Sequence, residues 1–241
     1  MDRVLFIPSD HGGGMGHVSR CLFFARRLNE QQVPTAIVLE QQHYQQLQTE
    51  PIQKFLLNTR RERWLTYHIT PPFRDGLRLA RLITRRPVFV EFSGLAFQVP
   101  RDGYLNTAIT ERRFRQLVAI AESFKPTVLV GDAHFLTRLL GKYLSIPVVQ
   151  ITRQAGFPPR PQFVWWRDVP SGIQPPDALA PFQSLLDRIG LDNVQRAEDL
   201  LRGDRYIIPA IPEIEPVPAE ESVVYAGPFT EIPSGENIAS E

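Results

Sequence analysis

The sequence has little of several features that mark particular classes of protein. Its 241 residues include one cysteine, Cys21, which excludes an internal disulfide framework and fits a reducing compartment. Cys21 falls on an apolar helical stripe, where we expect a packed core thiol. No apolar run approaches the roughly 20 residues of a membrane-spanning helix, and the N-terminus lacks the residue order of a signal peptide. We therefore expect a cytoplasmic protein.

Net charge is also close to zero, at a formal +1, so no overall field indicates nucleic-acid binding. The two halves of the chain nevertheless differ in charge. Residues 1–125 contain 18 Lys and Arg and 11 Asp and Glu, whereas residues 126–241 contain 9 Lys and Arg and 15 Asp and Glu. We expect the clustered arginines to form a solvated face, and peripheral contact with an anionic membrane or an acidic partner is the alternative. These arginines are Arg60, Arg61, Arg63, Arg78, Arg81, Arg85, Arg86, Arg112, Arg113 and Arg115.

Apolar runs that predict strands alternate with amphipathic segments that predict helices. The predicted strands are 3–7, 35–40, 64–69, 127–132, 147–152, 205–209 and 222–227. The predicted helices are 17–31, 41–48, 104–124, 134–144, 178–189 and 193–202. This alternation predicts an α/β, Rossmann-like three-layer domain with a mainly parallel sheet covered by helices on both faces. We expect the domain to occupy 1–228, and 229–241 to be a linker or disordered tail.

A glycine-rich loop joins the first predicted strand to the first helix, in DHGGGMGHVSR at 10–20. Glycine permits close approach of another group, and the helix N-terminus that follows attracts anions. A dinucleotide fingerprint would use Gly12 and Gly14, with Glu40 ending the next strand, but its third glycine position holds His17. This mismatch disfavours a nicotinamide dehydrogenase, and it indicates that the glycines shape the turn while the histidine does the chemistry.

Asp132 ends a predicted buried strand, and we expect it beside His17 at the sheet edge where ligands collect. A histidine can take a proton from a hydroxyl group, and a buried carboxylate behind it would set its tautomer. Residue types alone leave a structural role for His17 equally open. A metal held by His17, Asp132 and His134 is disfavoured, because their spacing matches no zinc signature. His43 and His68 have no partner pattern, so we expect them at the surface or at strand ends.

Three motifs in order carry a resemblance to a known family. They are GGGMGHVSRCLFFARRL, KPTVLVGDAHFLTRLLGKYLSIPVV, and LLRGDRYIIPAIPEIEP with the later VVYAGPF. Together they resemble the N-terminal, acceptor-binding domain of GT-B glycosyltransferases, especially the bacterial relatives of UDP-glucuronosyltransferases and macrolide glycosyltransferases. The resemblance covers most of 1–229.

The resemblance implies roles for individual residues. His17 would be the general base and Asp132 its partner, and 70–100 and 153–167 would wall the acceptor. The loop beside the donor phosphates would be Gly12, Gly13, Gly14 and Gly16. The aromatic candidates for acceptor contact are Phe73, Phe92, Phe97, Trp165 and Trp166. His11 and His134 are further candidates to line the site.

The resemblance also implies a function. The chain would be the acceptor-binding half of an inverting glycosyltransferase that uses a nucleotide-sugar as co-substrate, with no metal or other cofactor. Its partners would be a hydroxyl-bearing small-molecule or lipid acceptor and a C-terminal Rossmann-like donor-binding half, which we do not find in the sequence. One alternative is a nucleotide-sugar hydrolase, similar to the UDP-sugar hydrolases of nonulosonic acid pathways, which share the Gly-His-x-x-Arg loop seen here as Gly16, His17 and Arg20. Another is a non-catalytic binding or partner subunit.

Overall fold

A computed structural model describes six ranges of the chain, namely 2–10, 15–59, 94–104, 106–157, 177–218 and 222–228. Within them, seven parallel strands form one sheet in the order β3-β2-β1-β4-β5-β6-β7. The strands are β1 (Val4–Pro8), β2 (Thr35–Glu40), β3 (Gln53–Leu57), β4 (Val128–Asp132), β5 (Val148–Ile151), β6 (Arg205–Ile208) and β7 (Val223–Tyr225). The predicted α/β class and parallel sheet are confirmed.

Helices connect and cover these strands. The α-helices are α1 (Met15–Glu30), α2 (Gln41–Gln46), α3 (Gln98–Arg101), α4 (Thr107–Phe124), α5 (Thr137–Leu144) and α6 (Gln183–Ile189). Short 3₁₀ turns lie at Gly94–Phe97, Gln154–Gly156, Ala180–Phe182 and Ala197–Leu201, and the last of these replaces the helix predicted at 193–202. No helix in the described part of the chain is both long enough and apolar enough to cross a membrane.

The third strand of the described sheet is one that the sequence did not predict. The apolar run at 64–69 was the predicted strand, but it lies outside the described residues, and β3 is formed by QKFLL at Gln53–Leu57. Within the described residues, this strand lies at the edge of the sheet beside β2, and its first residue is exposed. An edge strand is covered less completely than a central one, so its sequence need not be a continuous apolar run.

Both faces of the sheet are buried, as in other parallel sheets. Leu5 and Ile7 of β1 belong to the core that includes α4, α5 and α6, whereas Val4 and Phe6 belong to the core under α1. Alternate residues of one strand therefore pack against opposite helical layers. Cys21 is fully buried in the α1 layer, as its apolar stripe predicted, and burial raises the pKa of its thiol well above the ordinary value.

One of the clustered arginines, Arg113 of α4, is buried, contrary to the expectation that all of them face solvent. Arg113 is 1% exposed. Its Nη1 donates to the Asp102 carbonyl at 2.7 Å, and its guanidinium lies 4.8 Å from the centre of the Tyr104 ring. A carbonyl and an aromatic face give a buried guanidinium the partners it needs. The clusters within 60–86 lie outside the described residues.

The strand order places the crevice of the sheet between β1 and β4. These strands pair in parallel, with Pro8 opposite Asp132 at their carboxyl ends. The chain runs outward from β1 through β2 to β3, and outward from β4 through β5 to β7. Ligands of open parallel sheets bind where the strand order reverses in this way. The fold therefore predicts a ligand site among the residues that follow β1 and β4.

Candidate functional site

The first turn of α1 and the end of β4 bring together the two residues that the sequence singled out. His17 follows the helix start at Met15, and Asp132 is the last residue of β4. His17 Nδ1 lies 2.7 Å from Asp132 Oδ1. The Asp132 side chain is 2% exposed and that of His17 is 26% exposed, so the carboxylate is held behind a histidine that solvent can reach. Among the described residues, His17 Nε2 has no hydrogen-bond partner.

Arg20 completes this group from the next turn of α1. Its Nε donates to Asp132 Oδ2 at 2.7 Å and its Nη2 to Asp132 Oδ1 at 2.9 Å, a bidentate pair. The same Nη2 lies 2.8 Å from His17 Nδ1. Burial by itself lowers the pKa of Arg20, but the hydrogen bonds and charge of Asp132 raise it above its usual value. The sequence indicated Arg20 only through the Gly-His-x-x-Arg loop that the chain shares with nucleotide-sugar hydrolases.

The backbone beside Asp132 is strained. Ala133 has a φ of 53°, in the left-handed region that residues with a Cβ rarely adopt. Such strain persists only where the surrounding structure imposes it, and it is concentrated at functional sites. Here it accompanies the abrupt end of β4, where Asp132 accepts the Ser9 N–H through its carbonyl oxygen at 2.8 Å.

A cavity of about 130 Å³ lies beside His17, Arg20 and Asp132. Its other walls include Leu95, Gln98, Ala133, Ile151, Gly156 and Leu201. The Oε1 atom of Gln98 is buried and has no hydrogen-bond partner in the part of the chain that the structure describes. The resemblance included Gln98 only within the broad range 70–100, because a single glutamine outside any motif has no pattern to distinguish it.

A second polar cluster lies at the same edge of the sheet. It contains His43, which was expected at the surface or at a strand end and which follows the end of β2. This residue is 1% exposed rather than at the surface, and its Nδ1 bonds to Asp10 Oδ1. Asp10 Oδ2 accepts the Glu40 N–H at 2.6 Å, and Thr59 donates to Glu40 Oε2 at 2.8 Å. These groups are buried and mutually bonded, which fits a structural network rather than a site for ligand.

His134 belongs to a different cavity from His17. Its Nε2 lies 3.3 Å from the Tyr104 hydroxyl and its Nδ1 lies 3.2 Å from Thr137 Oγ1. With Tyr104 and Asp10 it lines a space of about 10 Å³, enough for one water molecule. The structure therefore does not place His134 on the cavity beside His17, where the sequence had made it a candidate.

Several predicted site residues lie outside the described residues. They are His11, Gly12, Gly13, Gly14, Phe73, Phe92, Trp165 and Trp166. The backbone of Phe97 is described, and it lies in the 3₁₀ turn before α3. Gly16 lies in the first turn of α1, where an added Cβ would come no closer than 3.9 Å to Arg20. Packing among the described residues therefore does not require glycine there.

The described residues contain no group of three or more His, Cys, Asp and Glu side chains that could hold a metal ion. The polar groups around His17 are instead suited to moving a proton. A histidine that keeps one nitrogen on a buried carboxylate, and whose partly exposed ring lines a cavity, can act as a general base.

Comparison with known proteins bears on the fold. No protein-family model and no curated protein matches the sequence. Among solved structures, the calicheamicin glycosyltransferase CalG4 is similar, with 14% identity, a TM-score of 0.59, and coverage of 95% of this chain and 53% of CalG4. The glycotransferase of kitacinnamycin has 15% identity, a TM-score of 0.57, and coverage of 100% and 55%. The Streptomyces sp. SF2575 glycosyltransferase SsfS6 has 14% identity, a TM-score of 0.53, and coverage of 92% and 56%.

The chain thus spans about half the length of the solved structures it matches. Sequence identities this low establish a shared fold and nothing finer. The domain has the fold of one Rossmann-like half of a GT-B glycosyltransferase.

Proposed function

We propose that the chain is the acceptor-binding half of an inverting glycosyltransferase, which transfers a sugar from a nucleotide-sugar to a hydroxyl group. One observation carries the proposal. In a domain with this fold, His17 lies at the crevice between β1 and β4, with Nδ1 bonded to a buried Asp132 and with its ring reached by solvent. A histidine that solvent can reach can take the proton of a hydroxyl, and a buried carboxylate on its other nitrogen orients it for this role.

The mechanism follows from the two ring nitrogens. The acceptor hydroxyl gives its proton to His17 Nε2 while its oxygen attacks the anomeric carbon of the sugar. The nucleoside diphosphate leaves from the opposite face, so the anomeric configuration inverts. Asp132 accepts a hydrogen bond from Nδ1–H, which sets the tautomer and stabilises the imidazolium that forms. Arg20 holds both oxygens of Asp132, which keeps the carboxylate oriented toward His17.

The donor would lie against the glycine-rich loop and the N-terminus of α1, where backbone N–H groups favour an anionic diphosphate. The matched structures are about twice as long as this chain. We therefore assign most contacts with the nucleotide to a second Rossmann-like domain, which would act together with this one.

The proposal is tested by replacing His17 in the chain combined with a donor-binding half. We expect His17→Ala to lower kcat by roughly 10²-fold or more, the effect of losing a positioned base, with a smaller change in acceptor KM. Release of nucleoside diphosphate measures turnover. Ser19→Ala is the matched control, because Ser19 is exposed on the same helix, and it should retain normal turnover. Near-normal kcat for His17→Ala would show that His17 is not the base.

A nucleotide-sugar hydrolase is the second candidate, favoured by the contact of Arg20 with both His17 and Asp132. His17 and Arg20 belong to the Gly-His-x-x-Arg loop, and Asp132 ends β4. In a hydrolase, water would be the nucleophile. An acceptor-free reaction separates the two candidates. A hydrolase releases nucleoside diphosphate and free sugar in equal amounts without acceptor, whereas a transferase releases diphosphate at a rate that rises with acceptor concentration.

A further inference from the structure

A groove on the surface of the domain is lined by three cations that the site beside His17 does not use. It runs along α5, which carries Arg138 and Lys142, and its other wall includes Arg202, in the segment before β6. Its floor lies at the amino ends of β5 and β6, whereas His17 lies at the carboxyl ends of β1 and β4. The groove is therefore separate from the site of the proposed reaction.

The two walls of the groove are fixed to the same residue of the sheet. An added Cβ at Gly141 of α5 would overlap the side chain of Val148, which begins β5. On the other wall, the N–H of Val148 donates to Asp204 Oδ2 at 2.8 Å, and the N–H of Asp204 donates to the Val148 carbonyl at 2.7 Å. Because both walls pack on Val148, the fold itself sets the spacing of the cations.

The carboxylates of the groove do not balance its cations. Arg202 Nε donates to Asp199 Oδ1 at 3.0 Å, and Arg138 Nη1 donates to the backbone carbonyl of Asp199 at 2.5 Å. The carboxylates that bond to the two arginines or line the groove are Asp199 and Asp204. The three cations exceed these two carboxylates by one charge.

The two arginines of the groove also repel each other. Burial lowers the pKa of Arg138, and the charge of Arg202 lowers it further, against the opposite effect of Asp199. A lowered pKa means that the folded chain disfavours the charged form of this guanidinium. Bound negative charge between the two arginines would relieve the repulsion.

The positions of the cations on α5 add to this cost. Arg138 lies in the first turn, where the helix dipole disfavours a cation. Lys142 follows four residues later, and like charges at this spacing destabilise a helix. Within the described ranges, Arg138 Nη2, Lys142 Nζ and the terminal nitrogens of Arg202 have no hydrogen-bond partner. The groove thus combines unfavourable charge with unused donors, and an anion would satisfy both.

We propose that this groove binds a phosphate group, held by Arg138, Lys142 and Arg202. Guanidinium groups present paired N–H donors that match phosphate oxygens, and the lysine ammonium adds a compact charge. A phosphate monoester is mainly a dianion at neutral pH, so it offsets the excess positive charge of the groove. The proposal does not depend on the reaction at His17, and binding can be measured without any turnover.

Titration of the full chain with inorganic phosphate tests the proposal. We expect saturable NMR shifts of the backbone amides of Lys142 and Gly203, with a Kd of about 1 mM at constant ionic strength. Arg138→Gln should weaken the binding by roughly tenfold or more, the effect of losing a hydrogen bond to a charged group. Lys142→Gln should weaken it severalfold. Lys142 is exposed, so its replacement keeps the test available even if Arg138→Gln does not fold.

Arg115→Gln is the matched control, because Arg115 is exposed on α4 and does not line the groove. It should bind phosphate as tightly as the wild-type chain does. No saturable binding of phosphate by the wild-type chain would overturn the proposal. Equal affinity of the wild-type chain and both groove variants would also overturn it, because the phosphate would then bind elsewhere. Neither result would bear on the role of His17.

Two further probes identify the source of the phosphate group. Glucose 1-phosphate represents a soluble ester, and vesicles of phosphatidylcholine with or without phosphatidic acid represent a lipid headgroup. Cosedimentation with the mixed vesicles that Lys142→Gln abolishes would support the site and assign a lipid. Binding of glucose 1-phosphate without cosedimentation would support it and assign a soluble ester, and binding of inorganic phosphate with neither probe would assign the free ion.

Discussion

Two histidine–aspartate pairs lie at the carboxyl edge of the sheet, and burial gives them different roles. The side chains of His43 and Asp10 are 1% and 3% exposed, whereas that of His17 is 26% exposed. Burial raises the pKa of the Asp10 carboxyl, against the lowering effect of its hydrogen bonds to Glu40 and His43. A reacting hydroxyl can reach His17 but not His43. The sequence did not indicate a partner for His43, because its partner Asp10 is 33 residues away in the chain.

The backbone at Ala133 provides a residue-scale prediction. A left-handed conformation costs an alanine about 1–2 kcal/mol, and glycine avoids this cost while losing about 0.5–1 kcal/mol of chain entropy. We expect Ala133→Gly to leave the free energy of unfolding unchanged or to raise it by up to about 1.5 kcal/mol. Urea denaturation followed by circular dichroism measures the change.

The same substitution at Ala119 is the control, because this residue is exposed in the middle of α4 with helical geometry. Ala119→Gly should lower the free energy of unfolding by about 1 kcal/mol. Equal losses for the two variants would show that the φ of Ala133 carries no strain.

At the scale of elements, the site depends on which strands are neighbours. Apolar runs and helical periods predicted β1, α1, β2, α4, β4 and β5 nearly at their observed positions, because each is buried along a regular repeat. The edge strand β3 escaped prediction, since QKFLL is not a continuous apolar run. The pairing of β1 with β4, which sets Asp132 beside the start of α1, joins segments more than a hundred residues apart. Local patterns indicate such a pairing only through general rules for parallel sheets.

Helix α4 covers one face of the sheet, and its start gives an element-scale prediction. Asn106 caps this helix by accepting the N–H groups of Ala108 at 3.0 Å and Ile109 at 3.2 Å. Asn106→Ala should lower the free energy of unfolding by about 1 kcal/mol, because these N–H groups lose their protein partner. Asn29→Ala is the control, since Asn29 is exposed near the end of α1, where alanine is the better helix former. Thermal and urea unfolding measure the stability of both variants. A loss of stability in Asn29→Ala as large as that in Asn106→Ala would count against the cap.

At the scale of the whole molecule, a domain that matches half of a two-domain fold should bind only part of the donor. Under the proposed function, the cavity beside His17 takes the acceptor. Among the described residues, the cations that line this cavity besides His17 are Arg20 and Arg153. Both of these arginines are paired with carboxylates, Asp132 and Glu215. A nucleoside diphosphate would therefore find little uncompensated positive charge on this wall.

We accordingly expect the chain by itself to bind UDP-glucose more weakly than micromolar and to transfer no sugar. Micromolar affinity corresponds to about 8 kcal/mol, which a complete donor site could supply. Isothermal titration calorimetry measures the affinity, and diphosphate release with and without acceptor measures turnover. Micromolar binding or turnover by the chain alone would place the donor site within it, and would favour the hydrolase over the transferase.

The sequence by itself determined the α/β class, the buried Cys21 and the location of a histidine and an aspartate after strands, because these follow from the local periodicity of apolar residues. The tertiary structure alone decided that Arg20 holds both oxygens of Asp132 and that Arg113 and His43 are buried. Each of those features depends on partners distant in the chain or on the shape of the space between elements. Polar side chains carry no periodic signal that reveals such partners, so only the folded packing shows where their hydrogen bonds go.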